Sequence, residues 1–293
     1  DFAFLNAIVG SSRFPPEDVW LSGHSISYYY FGHLMMAGLT KLTGITSNFT
    51  YNLSVILIPA LVSIGSYGLM YNLVRLSGSS KAKAILLGLA APVFVGLIGN
   101  LVGVLDFVQA RSWGSGEFWG WVGIKDLASS TTGGGGIFPD GHLWWWHSTR
   151  VIDTIRGGES LDFTITEFPF FSFLLGDLHA HVMALPFLIL SLAMSLNVLV
   201  SIDGLGLGFL RRNLWESLAV ALSLGALAFI NVWDLPVFAA LFLGILFITA
   251  LKNQEATLGR AGLSALVVGV PILTMAVLMF LPYYLTLQTQ VSG

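Results

Sequence analysis

Asp177, His179 and His181 occupy alternate positions in the stretch Gly176-Asp-Leu-His-Ala-His181. In an extended segment all three side chains project to one side, where they could ligate a divalent metal ion. In a helix Asp177 and His181 share a face while His179 turns aside, and Asp177 becomes a natural N-cap for the apolar run that follows. In either case two imidazoles and a carboxylate are available for acid–base work near neutral pH. A second group lies in Phe138-Pro-Asp-Gly-His-Leu-Trp-Trp-Trp-His-Ser-Thr-Arg150. Trp144 and Trp145 offer flat apolar faces, each with one N–H donor, suited to a sugar ring or a lipid headgroup, and Arg150 can grip a phosphate bidentately. The plainer alternative is an interfacial aromatic belt in which Arg150 pairs with Asp153. The third group is at the start of the chain. Asp1 abuts the apolar Phe2-Ala-Phe-Leu5, the adjacent prolines Pro15 and Pro16 hold Glu17 and Asp18 on a rigid path, and Tyr28, Tyr29 and Tyr30 follow. Glu167, in Thr166-Glu-Phe-Pro169, is a further acidic candidate.

These groups must be positioned by apolar helices. The chain is 55% hydrophobic and only 10% charged, with a mean hydropathy of +0.79. A soluble domain carries roughly 25% charged residues, so a membrane embedding is the economical reading. A span needs about 20 mostly apolar residues. Six candidates run over 51–76, 84–108, 182–201, 214–231, 235–251 and 261–283, the fifth being short. The spacing therefore predicts an all-α fold, a polytopic transmembrane helical bundle. Residues 1–50 form a first outer loop, 51–108 two spans, 109–180 a long outer loop and 181–293 four spans. The chain opens at Asp1 without a starting methionine or signal peptide, as expected of a segment of a longer protein with at least one span ahead of it.

Basic residues set the expected orientation. Arg75, Lys81 and Lys83, then Arg211 and Arg212, then Lys252 and Arg260 cluster in three short connections, which the positive-inside rule places in the cytoplasm. The opposite side then receives 13 of the 16 acidic residues and all six histidines; only Asp203, Glu216 and Glu255 remain inside. Residues 28–44 look like an apolar helix, yet counting them as a span would reverse every later assignment. At about 17 residues, and holding His33 and Lys41, they read as an interfacial helix in the first outer loop. The glycine run within Ser129–Gly136 predicts a mobile loop or connector. The absence of cysteine excludes disulfides and thiolate catalysis.

Several motifs in order, Phe14-Pro-Pro-Glu-Asp-Val-Trp20, Tyr28-Tyr-Tyr-Phe-Gly32, Trp144-Trp-Trp-His-Ser-Thr-Arg150, Thr166-Glu-Phe-Pro-Phe-Phe-Ser-Phe173, Gly176-Asp-Leu-His-Ala-His181 and Asn231-Val-Trp-Asp-Leu-Pro236, resemble the YYY-type membrane protein family of archaea and chloroflexus-like bacteria. Val19 stands where proline is expected and Ser27 where asparagine is expected. The layout resembles the GT-C class of membrane glycosyltransferases. That resemblance implies a multi-pass protein of the cell membrane with an extracytoplasmic active face. It implies sugar transfer from a polyprenyl-phosphate donor to an unidentified acceptor, with membrane lipid and no nucleic acid among the other partners. Asp1 matches the essential acidic residue of the first outer loop and is cast as catalytic base, with Asp18 as second choice and Glu167 as a further catalytic candidate. Arg150, His179 and His181 would steady the phosphate, with a divalent metal on Asp177, His179 and His181 as the candidate cofactor. Tyr28, Tyr29, Tyr30, Trp144 and Trp145 would shape the sugar and lipid pocket. Two other functions fit the residues: a membrane transporter or scaffold protein, and a metal-dependent membrane hydrolase built on Asp177, His179 and His181.

Overall fold

The computed structural model describes residues 1–98, 100–124, 144–157, 159–201, 205–254 and 257–287. In chain order the helices are α1 (Phe2–Gly10), α2 (Phe31–Thr43), α3 (Ser47–Leu76), α4 (Lys81–Gly96), α5 (Val102–Ala110), α6 (Gly116–Val122), α7 (Pro169–Leu175), α8 (Ala180–Ser201), α9 (Leu207–Arg212), α10 (Leu214–Ile230), α11 (Asp234–Gln254), α12 (Leu258–Met279) and α13 (Leu281–Thr286). Two compact units emerge, one of residues 1–92 with 176–293 and one of residues 93–175. In the second, a 3-10 turn at Trp144–Thr149 leads into an antiparallel hairpin of β1 (Ile152–Arg156) and β2 (Glu159–Thr164). This hairpin is a small departure from the all-helical expectation. Its Ser160-Leu-Asp-Phe-Thr164 run alternates polar with apolar residues, and a turn at Gly157, where φ is +64°, precedes it.

Among the described residues four helices are long and apolar enough to cross a membrane: Ser47–Leu76, Ala180–Val200, Asp234–Lys252 and Leu258–Met279. Two expectations shift. The stretch 84–108 does not run as one span, because α4 ends at Gly96 and α5 begins at Val102. Leu97 N and Ile98 N both donate to Val93 O, winding the helix to a stop, and Asn100 Oδ1 accepts from Val102 N at 2.9 Å to start the next one. The expected fifth span is not the short one. α11 runs over Asp234–Gln254, gaining most of its extra length beyond residue 251, and Pro236 is tolerated because proline in a first helical turn gives up no hydrogen bond. Leu214–Ile230 is the shorter apolar helix instead.

That short helix is the centre of its unit. From Val220 to Ile230 nearly every residue of α10 is buried, packed against α8, α11 and α12. A helix buried on all sides presents no solvent face, so its sequence is apolar all round and rich in small residues. Phe242, Leu246, Val268 and Ile272 complete the core around Leu224 and Leu227. Within this packing Ser191 Oγ of α8 and Ser223 Oγ of α10 share a buried hydrogen bond at 2.8 Å. A double-mutant cycle of Ser191→Ala and Ser223→Ala, read by unfolding in mixed micelles, should return a coupling of about 0.6 kcal/mol and no more than about 1.7 kcal/mol. The alternative partners of a polar group within a membrane keep the value small.

Within the expected helix at 28–44, α2 buries one stripe, Gly32, His33, Met36, Ala37 and Thr40, at helical spacing. It packs against α1, α3, α8 and α10. Thr40 and Thr50 join their hydroxyls at 2.7 Å between α2 and α3. Gly44, at φ +68°, closes α2 with its N–H on Thr40 O.

Candidate functional site

Several helices of the first unit begin at one place. Asp1 is the N-cap of α1, His33 is the third residue of α2, Tyr51 lies near the start of α3, and α8 starts at Ala180. Contacts among these starts hold them together. Phe2 meets Tyr51 edge-on at 5.4 Å, and the Tyr51 hydroxyl donates to Gly176 O at 3.2 Å. Gly32 lets α2 lie directly on the first turn of α8, since a Cβ there would run into the Met183 thioether. Gly176, at φ +67°, turns the chain out of α7. Residues 177–179 then run outside any helix before α8 begins.

That local path decides how the alternating motif is used. Met183 N donates to His179 O at 3.1 Å, the first hydrogen bond of α8. His179 rather than Asp177 therefore occupies the capping position, and His181 is already inside the helix. Asp177 and His179 come together, with Nδ1 3.3 Å from Oδ2. On its other side His179 meets the Tyr28 hydroxyl, 3.3 Å from Nε2. Tyr28 in turn stacks on Phe4, ring centres 5.8 Å apart. The hydrogen bond from His179 holds the Asp177 carboxyl below the ordinary carboxylate range, against the opposing effect of burial.

Asp1 completes the arrangement. One ligand atom each from Asp1, Asp177 and His179 lie within 4.8 Å of one another. His33, which the sequence offered only as a polar interruption of an apolar helix, stands behind them. It is 1% exposed, and its Nε2 is 3.4 Å from Asp1 Oδ1. Among the described residues neither of its ring nitrogens has a hydrogen-bond partner. Burial pushes its imidazole down to about 4, so it is neutral at pH 7. The signal that could have found it is its place on the buried stripe of α2, next to a glycine that brings another helix close.

The other expected site residues are placed as follows. The His181 ring centre is 5.6 Å from that of His179, but His181 is not a member of the three-residue group. Tyr29 packs on Tyr28 at 5.2 Å. Tyr30 is buried in an aromatic stack with Phe229 and Tyr283, a packing role. Asp18 holds its own turn, its Oδ1 accepting from Trp20 N at 2.7 Å and Leu21 N at 3.0 Å. Glu167, Trp144, Trp145 and Arg150 belong to the second unit. There the Arg150 guanidinium lies over the Trp146 ring, 4.0 Å from its centre, as a cation–π contact. The stretch Phe138–His142 and the glycine run Gly133–Gly136 fall outside the described residues.

The chemical capacity of the first-unit cluster is clear from its parts. Two carboxylates, one half-buried and one buried imidazole and a phenol meet where α1, α2 and α8 direct their N-terminal ends. Those ends carry partial positive charge, which favours anions. Residues 1–293 match the model of a family described as Uncharacterized membrane protein (DUF2298). No curated protein and no solved structure matches the chain.

Proposed function

The chain belongs to this membrane-protein family, and on that premise we propose that it is an integral membrane glycosyltransferase of GT-C type. It transfers a sugar from a polyprenyl-phosphate donor on the extracytoplasmic side of the cell membrane. The observation that carries this reading is the meeting of Asp1 with Asp177, His179 and His33 at the N-terminal ends of α1, α2 and α8. Asp1 accepts the proton of the acceptor hydroxyl as that oxygen attacks the anomeric carbon. The bond from that carbon to the phosphate oxygen breaks, and polyprenyl phosphate leaves with the electron pair. His179, backed by the Tyr28 hydroxyl, and the helix N-termini stabilise the negative charge of the departing phosphate. A groove of about 430 Å³ along α2 and α3, lined by Met36, Leu39, Leu53 and Leu57 among others, suits the lipid tail. It begins one turn beyond His33 on α2. Tyr29, Trp144, Trp145, Arg150, Asp18 and Glu167 enter the proposal through the GT-C resemblance alone.

One observation favours a second reading. Asp1, Asp177 and His179 are spaced as a metal-binding group, which also fits a metal-dependent hydrolase in which water replaces the acceptor. A transporter fits less well. Within the four spans the acidic and basic residues, Arg75, Asp234, Lys252 and Arg260, all sit at helix ends, whereas ion pathways place such groups mid-span. The test is to supply membranes containing the protein with radiolabelled polyprenyl-phosphate sugars. Label passing to a larger product supports the transferase, and label appearing only as free sugar supports the hydrolase. Donor that remains unconsumed in the presence of membrane extracts from a producing cell counts against both.

A further inference from the structure

We propose that Asp1, Asp177 and His179, with His33 as a fourth donor, bind a single borderline divalent cation of the Zn²⁺ class. The first three residues offer ligand atoms mutually within 4.8 Å. Two of the pairs already have the spacing of neighbouring ligands: His179 Nδ1 to Asp177 Oδ2 at 3.3 Å and His33 Nε2 to Asp1 Oδ1 at 3.4 Å. Donors about 2.0–2.2 Å from a tetrahedral ion stand about 3.4 Å apart, so each imidazole–carboxylate pair can meet an ion with little movement. His33, like His181, lies outside that three-residue group, so bringing the Asp1–His33 pair onto the Asp177–His179 pair is the change binding requires.

His33 is the independent observation. It is buried to 1% exposure, yet among the described residues both its ring nitrogens lack hydrogen-bond partners. Buried polar side chains are nearly always satisfied, and one that is not calls for an explanation. An ion beside Asp1 supplies it for Nε2, because the unprotonated nitrogen of a neutral imidazole is a good ligand and its lone pair is a poor neighbour for an unshielded carboxylate. The two carboxylates point the same way: among the described residues no lysine or arginine pairs with Asp1 or Asp177.

The donor set selects the ion. Two imidazole nitrogens and two carboxylate oxygens suit Zn²⁺, Mn²⁺ or Fe²⁺ better than Mg²⁺ or Ca²⁺, which favour oxygen throughout. With Nδ1 on the ion, His179 Nε2–H donates to the Tyr28 hydroxyl at 3.3 Å, which orients the ring. His181, carried into α8, is outside the set. The ligands are thus a carboxylate–imidazole pair from each of two distant chain segments, rather than the three alternating residues that the local motif offers.

The inference stands apart from the transferase reading, since binding is read without turnover. The test is titration of the purified protein, with affinity tag removed and metals stripped by chelator, using Co²⁺ and then Zn²⁺. The expected result is one Co²⁺ per chain with the intense visible absorption of a four-coordinate N/O site, displaced by Zn²⁺ and not by excess Mg²⁺. His179→Ala and His33→Leu should each weaken binding by at least the roughly 10–100-fold that loss of even an outer-shell partner costs. Should His33→Leu fail to fold, His179→Ala carries the test, because the His179 side chain is 37% exposed. The proposal is overturned by the absence of saturable binding, by a weakly absorbing site that Mg²⁺ empties, or by binding that survives His179→Ala and is lost in His181→Ala.

Discussion

Asp1→Asn should lower sugar transfer from a polyprenyl-phosphate donor by about 10²–10⁴-fold, the usual contribution of a general base. The substitution keeps the shape of the side chain and removes only its charge and basicity, so the packing of α1 on α2 and α3 is retained. A loss confined to kcat, with donor binding intact, would mark Asp1 as the group that takes the acceptor proton. Asp18→Asn provides the contrast. The Asp18 carboxylate is already engaged by two backbone N–H groups of its own turn, so its neutralisation should cost stability on the order of 1 kcal/mol and little transfer. The comparison is made with radiolabelled donor in membranes holding equal amounts of each variant. Equal transfer by wild type and Asp1→Asn would remove Asp1 from the chemistry. Measuring Co²⁺ binding in the same variant separates the two roles argued for this carboxylate. Transfer lost with the ion retained identifies a base, and both lost together identify a ligand.

Gly225→Val should be the most damaging single change to the fold. A Cβ on Gly225 of α10 would strike the Ala276 carbonyl oxygen of α12, with Phe280 Cδ2 2.6 Å away. The first obstacle is backbone and has no rotamer to change, so the two helices must move apart. Overpacking of this kind costs about 1–3 kcal/mol, and a valine places more bulk there than the alanine Cβ alone. Gly269 offers the control. A Cβ there meets the side chains of Leu243 and Leu246, which can turn aside, so Gly269→Ala should be milder than Gly225→Ala. Thermal unfolding in detergent reads the order, and a Gly225→Val protein as stable as wild type would mean that α10 and α12 are not held this closely. Close approach through small residues is how helices associate where lipid is as apolar as the side chains.

The same contrast explains what could be read in advance. Hydropathy and length located the spans over α3, α8, α11 and α12, because lipid imposes one requirement on every residue of a span whatever its neighbours. The break between α4 and α5 was harder to see. A run of leucines and valines outweighs Gly96 and Asn100 in any average, while a helix end depends on single hydrogen bonds such as Asn100 Oδ1 to Val102 N. The helix over α2 was legible as an apolar stretch too short for a span, but the importance of His33 in it was not, since a buried histidine on an apolar face usually belongs to packing.

Chemical type and local spacing in the sequence by themselves determined that this chain is a membrane protein built of apolar helices, with Asp1, Asp177 and His179 among a wider set of reactive candidates that also held Asp18, Arg150, Glu167 and His181. These are properties of composition and of residues a few positions apart. Only the tertiary structure decided that Asp1 and His33, from the starts of α1 and α2, meet Asp177 and His179, from the start of α8. Only it showed that His179 ends the segment ahead of α8 while His181 lies inside that helix, because α8 begins at Ala180. The physical reason is range. Solvation by lipid and helical periodicity act residue by residue or turn by turn, whereas the encounter of residues 1 and 33 with residues 177 and 179 depends on packing between helices. That packing is set by pairs as far apart in the chain as Gly32 and Met183.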